Sequence, residues 1–212
     1  MNTYVLVCSE NVHAEVYSRL INELVPDAHE QRRLFTAIDC IPVVRAKAEW
    51  CLRWISDDSA DFPTRLVAFA IVEGVFFSSS FAAIFWVRSR GLLPGLCHSN
   101  ELISRDEGMH VQFACLLYEH LMAVVPTEQI YRMISDAVVL EQQFFTGELL
   151  DFERLHRYAM LMITIVHLEA LQSALLGMNN ALMSDYVEYV ADYLLGMLGV
   201  APLYGKENPV ST

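Results

Sequence analysis

The chain has 212 residues, 54% of them hydrophobic and 19% charged, and a formal net charge of −12. That apolar share excludes a disordered chain, and nine glycines with seven prolines are too few for an all-β protein of many short strands. An acidic balance without any Lys/Arg-rich run excludes direct binding of DNA or RNA.

Breakers divide the chain into long segments, none alternating as a strand would. The first runs from Tyr4 to Val25 and stops at Pro26; a shorter one covers His29 to Cys40, and Pro42 ends it. Val43 to Ile55 follows, closed by the polar loop Ser56-Asp57-Asp58-Ser59. Pro63 suits the first turn of a helix continuing to Arg90, with Gly91 as its C-terminal cap. Its length, roughly 40 Å at 1.5 Å per residue, is that of a bundle helix. After Pro94-Gly95, helices are predicted over Ser99 to Val125, Thr127 to Gly147, Asp151 to Leu176 and Asn180 to Leu198. The prediction is an all-α bundle over residues 1–200 with an irregular tail over 201–212.

The five cysteines (Cys8, Cys40, Cys51, Cys97 and Cys115) are scattered and form no CxxC pair. They read as small buried apolar residues of a reduced, cytoplasmic protein. The start, MNTYVLVCSENVHAE, lacks the features of a signal peptide, and the apolar stretch Tyr158 to Val166 is too short to span a bilayer. No membrane partner is expected.

Carboxylates and imidazoles carry the chemical signal. Glu10-Asn-Val-His13 and Glu107-Gly-Met-His110 are both Glu-x-x-His, which puts both groups on one helical face. With 16 Glu and 7 His, chance spacing yields about 0.5 such pairs, yet three occur. The third, Glu153-Arg-Leu-His156, lies between Arg154 and Arg157, where a solvated face is the cheaper explanation. Glu73 is a lone carboxylate in the very apolar stretch AFAIVEGVFFSSSFAAIFW. Buried and unpaired it would cost several kcal/mol, unless a cation compensates. A metal pair would serve all five residues, because di-iron and di-manganese bundles combine a Glu with Glu-x-x-His motifs. Mixed carboxylate and imidazole ligation suits iron or manganese better than zinc. Satisfied core residues and solvated faces remain the alternative. Tyr17 lies on the same stripe at i+4 from His13, Phe77 and Phe81 follow Glu73 at i+4 and i+8, and Ile103 precedes Glu107 at i−4. These could wall off an oxidisable phenol, although on spacing alone ordinary core packing is the cheaper account.

At these residues the chain resembles a known family. ENVHAEVY, VAFAIVEGVFFSSSFAAIFW, RGLLPGL and SNELISRDEGMH look like the small, radical-generating subunit of class Ia ribonucleotide reductase of the eukaryotic and herpesvirus type. KAEWCLRWI, LLGMNNALMSDYVEYVADYLL and the final ENP resemble the same family. The resemblance implies a ferritin-like di-iron helical bundle whose two iron ions, or manganese, oxidise a tyrosine. It implies Glu10, His13, Glu73, Glu107 and His110 as metal ligands, Tyr17 as the radical site, and Phe77, Phe81 and Ile103 as its pocket. It implies Asp106 as the acid that hydrogen-bonds His13 and joins the radical-transfer route. The radical would pass to the large subunit for reduction of ribonucleoside diphosphates, and a homodimer is expected.

Three departures from the family follow. Its further carboxylate ligand and its transfer tryptophan, both upstream of the first Glu-x-x-His, have no counterpart in the nine residues before Glu10. Glu141 and Glu148 are the candidate substitutes for the carboxylate. Residues 148–168 look like an insertion, and the family's C-terminal tail has no match, so the resemblance is to a core short at both ends. A non-catalytic relative that binds a full-length partner, or a ferritin-like di-iron oxidase, are the alternative readings.

Overall fold

The computed structural model describes residues 3–55, 60–146 and 180–209, and no strand occurs among them. Helix α1 spans Thr3–Leu24, α2 Ala28–Phe35, α3 Ala37–Cys40 and α4 Pro42–Ile55. Then come α5 at Phe62–Gly74, α6 at Ser78–Ser89, α7 at Pro94–Glu119, α8 at Thr127–Phe144 and α9 at Asn180–Met197. The predicted 151–176 helix, the apparent insertion at 148–168, Glu148 and the Glu153/His156 pair lie outside the described residues.

Local chemistry explains most boundaries. Asp27 Oδ1 accepts from the Glu30 amide at 2.8 Å and starts α2; Asp61 Oδ1 accepts from the Thr64 amide at 3.0 Å and starts α5, with Pro63 in the first turn. Gly91, at φ 69°, follows α6 in the left-handed conformation expected of a cap. Pro94 opens α7 instead of separating it from the preceding segment, so the helix begins five residues before the expected Ser99 and ends at Glu119. Proline lacks an amide proton that the first turn would leave unpaired anyway.

The expected helix from Pro63 to Arg90 is two helices. It breaks over residues 75–77, where the Ser78 amide turns back to the Val75 carbonyl at 3.1 Å and the Ser78 hydroxyl bonds the same oxygen at 2.7 Å. The segment expected over His29 to Cys40 is likewise divided, at Thr36.

Helix α5 is the axis of the bundle, in contact with α4, α7, α8 and α9. Phe62–Ser89 is apolar enough to cross a bilayer by composition, but here it supplies the core. Val67, Ala70 and Ile71 of α5 pack with Trp50, Ile134, Val187, Leu194 and Leu195. Trp50 meets Phe76 edge-on at 5.1 Å between centroids. Helix α1 lies on α7, outside this core, and buries little of its own surface. That placement corrects the expectation for the cysteines. Cys97 and Cys115 are buried, but Cys8 on α1 and Cys40 on α3 are exposed, because neither helix turns that face to the core.

Candidate metal centre

Three helices meet at one point. Helix α1 brings Glu10 and His13, α5 brings Glu73 on its last turn, and α7 brings Glu107 and His110. One ligand atom from each of Glu10, Glu73, Glu107 and His110 lies within 4.8 Å of all the others. His110 Nδ1 stands 2.9 Å from Glu107 Oε2, 3.4 Å from Glu10 Oε1 and 3.6 Å from Glu73 Oε2. His13 Nδ1 faces the same group, 3.0 Å from Glu107 Oε1 and 3.7 Å from Glu10 Oε1. All five residues singled out in the sequence, four by spacing and Glu73 by its apolar surroundings, are therefore brought together. The Glu10 side chain is 50% exposed, while those of Glu73 and Glu107 are 9% and 5% exposed.

Glu73 and Glu107 lie side by side with little access to water, which disfavours ionising both. Burial, and then the proximity of Glu73 and Glu10, lifts the Glu107 carboxyl to about 8. Burial also raises Glu73, and Glu10 adds to that rise. His13 Nδ1, Glu73 Oε2, Glu107 Oε2 and His110 Nδ1 are buried and make no hydrogen bond. Unsatisfied donors and acceptors converging on one point cost stability unless a cation completes them. Three carboxylates and two imidazoles are a donor set for iron or manganese. The residues present fit such a group.

The far side of His13 is also held. Its Nε2 lies 3.3 Å from Asp106 Oδ2 and 3.3 Å from the Ser9 hydroxyl. With Nε2–H donating to Asp106, the Nδ1 lone pair is left facing the carboxylates, as a metal ligand requires. Spacing alone leaves Asp106 an ordinary surface charge, since its partner is 93 residues away.

Tyr17 is largely enclosed. Burial, reinforced by the Glu107 charge, pushes its phenol up to about 12, so it holds its proton at neutral pH. Ile103 is buried, and the Phe77 and Phe81 rings lie 6.0 Å apart. Phe77 itself is 36% exposed, because it stands at the helix break and not on a continuous face with Glu73. A cavity of about 190 Å³ reaches Glu73 and Glu107 from the α9 side, lined by Phe81, Tyr186, Tyr193 and Met197.

Glu141 is not a substitute ligand. It is fully buried, and its two oxygens are taken by Lys47 and Ser79. This ionic cluster has no sequence signal, since Lys47, Ser79 and Glu141 share no helix and no regular spacing.

An all-helical bundle whose helices converge carboxylates and imidazoles on one buried point belongs to the ferritin-like class of metal-binding folds. The profile described as "Ribonucleotide reductase, small chain" matches residues 3–163, and the chain belongs to that family. It is 47% identical over 203 residues to a ribonucleoside-diphosphate reductase small chain of Spisula solidissima, and 49% identical to one of Neurospora crassa. It is 46% identical to ribonucleoside-diphosphate reductase subunit M2 of Homo sapiens. Each alignment covers 96% of this chain but 47%, 44% and 46% of those proteins, so the chain spans about half the length of the curated relatives it matches. Among solved structures, the ribonucleotide reductase Rnr4 homodimer from Saccharomyces cerevisiae superposes with a TM-score of 0.80 at 31% identity, over 98% of this chain and 59% of that one. A Bacillus halodurans chain at 22% identity and TM-score 0.77, covering 98% of this chain and 71% of that one, shares the fold.

Proposed function

We propose that the chain is the radical-generating small subunit of ribonucleoside-diphosphate reductase, serving deoxyribonucleotide synthesis for DNA replication in the cytoplasm. The observation that carries this reading is the convergence of Glu10, His13, Glu73, Glu107 and His110, with Asp106 behind His13. When bound, a pair of iron ions, or manganese, supplies the one-electron oxidant for a phenol. The rest belongs to the chain. Glu10, His13, Glu73, Glu107 and His110 would hold the ions, Glu107 giving up its proton to do so, and Asp106 would hold the His13 tautomer. Because Tyr17 keeps its proton up to about 12, the group presented for oxidation is the neutral phenol and not the phenolate. The cavity beside Glu73 and Glu107 is wide enough to admit a small oxidant such as O2.

The partner in this reading is the large subunit, which would receive the radical equivalent through His13 and Asp106. A homodimer is part of the proposal. Leu102, Met109 and Leu116 stand exposed seven residues apart on α7, an apolar stripe suited to a second copy. A second reading, a non-catalytic relative that stabilises a full-length partner, is favoured by the half-exposed carboxylate of Glu10.

Anaerobic Fe(II) loading followed by O2, with iron counted per chain and electron paramagnetic resonance recorded, decides between them. The catalytic reading expects close to two irons and a tyrosyl signal that Tyr17→Phe abolishes with loading nearly intact, while His110→Ala loses loading. Well under two irons and no radical in the unvaried chain would favour the non-catalytic relative.

A further inference from the structure

A second buried charged cluster lies at the helix break and belongs to no part of the chemistry above. Lys47 of α4 sends its Nζ to Glu141 Oε2 of α8 at 2.7 Å and to the Phe76 carbonyl at 2.6 Å. The same ammonium sits over the Phe144 ring, 4.3 Å from its centroid, and 5.1 Å from that of Phe76. The other Glu141 oxygen, Oε1, accepts from the Ser79 amide at 3.0 Å and from the Ser79 hydroxyl.

These contacts answer the needs of the break. In an unbroken helix the Ser79 amide would donate to the Val75 carbonyl, but the Ser78 amide and hydroxyl occupy that oxygen. The Phe76 carbonyl would accept from the Ser80 amide. The break therefore leaves, among other groups, the Ser79 amide and the Phe76 carbonyl without helical partners in the core, where unpaired groups are costly. Glu141 takes the donor, Lys47 takes the acceptor, and the two charges neutralise each other. The break ends α5 one residue beyond Glu73 and restarts the chain as α6 at Ser78.

We infer that Lys47 and Glu141 are positioning residues for Glu73. They lock the break at residues 75–77, and the lock sets where the Glu73 carboxylate stands against Glu107 and His110. The metal-binding half of this inference rests on the proposed function, whereas the lock itself does not.

The test uses the whole chain, with Lys47→Met/Glu141→Leu as the main variant, because removing both members of a buried ion pair is tolerated better than removing one. Hydrogen exchange in peptides covering residues 75–82 reads the lock, and Mn(II) affinity, from the free-ion resonance signal, reads Glu73. Expected are exchange faster by about tenfold or more at the break, unchanged exchange in the α7 peptide around Ala114, and Mn(II) binding weakened about tenfold. Lys47→Arg should restore both readouts in large part. Unchanged exchange at the break overturns the lock; faster exchange with Mn(II) affinity equal to that of the unvaried chain overturns the positioning of Glu73. If the double variant does not fold, Glu141→Gln, which keeps an acceptor for Ser79, is held to the same criteria with a smaller expected change, about threefold. An unvaried chain that takes up no Mn(II) sinks the functional reading separately and the positioning of Glu73 with it, and exchange alone then judges the lock.

Discussion

Asp106 holds His13 at Nε2, while Nδ1 faces the carboxylate cluster without a hydrogen bond, so the contact to Asp106 is what favours the tautomer with its lone pair toward the cluster. Asp106→Asn keeps the size and a hydrogen-bonding group but removes the charge that favours Nε2–H. Metal affinity should fall about 10- to 100-fold, read by competition with a chelator. Unchanged affinity would make Asp106 a bystander. Glu107 adds a pH dependence. Its folded-state value of about 8 lies above that of an unfolded glutamate, so between those values the folded, metal-free chain holds a proton that the unfolded chain has released. Stability is therefore greatest at the acid end of this window and declines as pH rises through it. Calorimetric melting of metal-free protein from about pH 5 to about pH 8 should show a fall of several degrees that Glu107→Gln flattens. A melting temperature that climbs over that range would contradict the assignment. Metal affinity should change in the opposite direction, rising with pH as Glu107 loses its proton.

At the scale of the helices, the break between α5 and α6 combines a local turn, in which Ser78 caps the Val75 carbonyl, with partners brought from other helices. AFAIVEGVFFSSSFAAIFW contains no proline, its single glycine is Gly74, and its spacing reads as a continuous helix. The break is instead matched by a lysine and a glutamate contributed by α4 and α8. Lys47→Met alone strands the Glu141 carboxylate in the core and should cost about 3–5 kcal/mol in urea unfolding. Adding Glu141→Leu should recover much of that loss, because no charge is then left unpaired. A double variant as unstable as the single would mean that the orphaned backbone groups, not the charge, dominate. Gly91 and Pro63 behave differently from Ser79 and Phe76. The first two act within their own turn, so the cap and the first turn of their helices were legible from sequence, whereas the partners of Ser79 and Phe76 were not.

The centre exists only when the bundle does. Its residues come from α1, α5 and α7, and Glu10 and Glu107 are far apart in the chain, so the proposed metal binding would be linked to folding. Ile134, fully buried on α8, is remote in sequence from every ligand. Ile134→Ala should lower stability by about 2–5 kcal/mol through the lost burial and the cavity left behind. Saturating Mn(II) should return part of that, about 2.7 kcal/mol at one hundred times the dissociation constant. Urea midpoints with and without the ion check both numbers, and a midpoint indifferent to Mn(II) would mean that the folded site does not bind it.

Segment patterning and Pro/Gly breakers determined the helical class and most helix boundaries; Glu-x-x-His, a one-turn relation that any helix obeys, marked four of the candidate ligands, and Glu73 stood out as a lone carboxylate in an apolar run. The family motifs added the expectation of roles for Asp106 and Tyr17. Tertiary structure alone decided what depends on separate elements meeting: that Glu10, His13, Glu73, Glu107 and His110 share one point, that Asp106 reaches His13, and that Glu141 serves the helix break instead of the centre. It also left Phe77 and Cys8 exposed where spacing or composition had them enclosed. A sequence specifies which face of a helix is apolar or acidic through its own spacing, but which faces meet is set by packing many residues at once, and that information is not carried by any one segment.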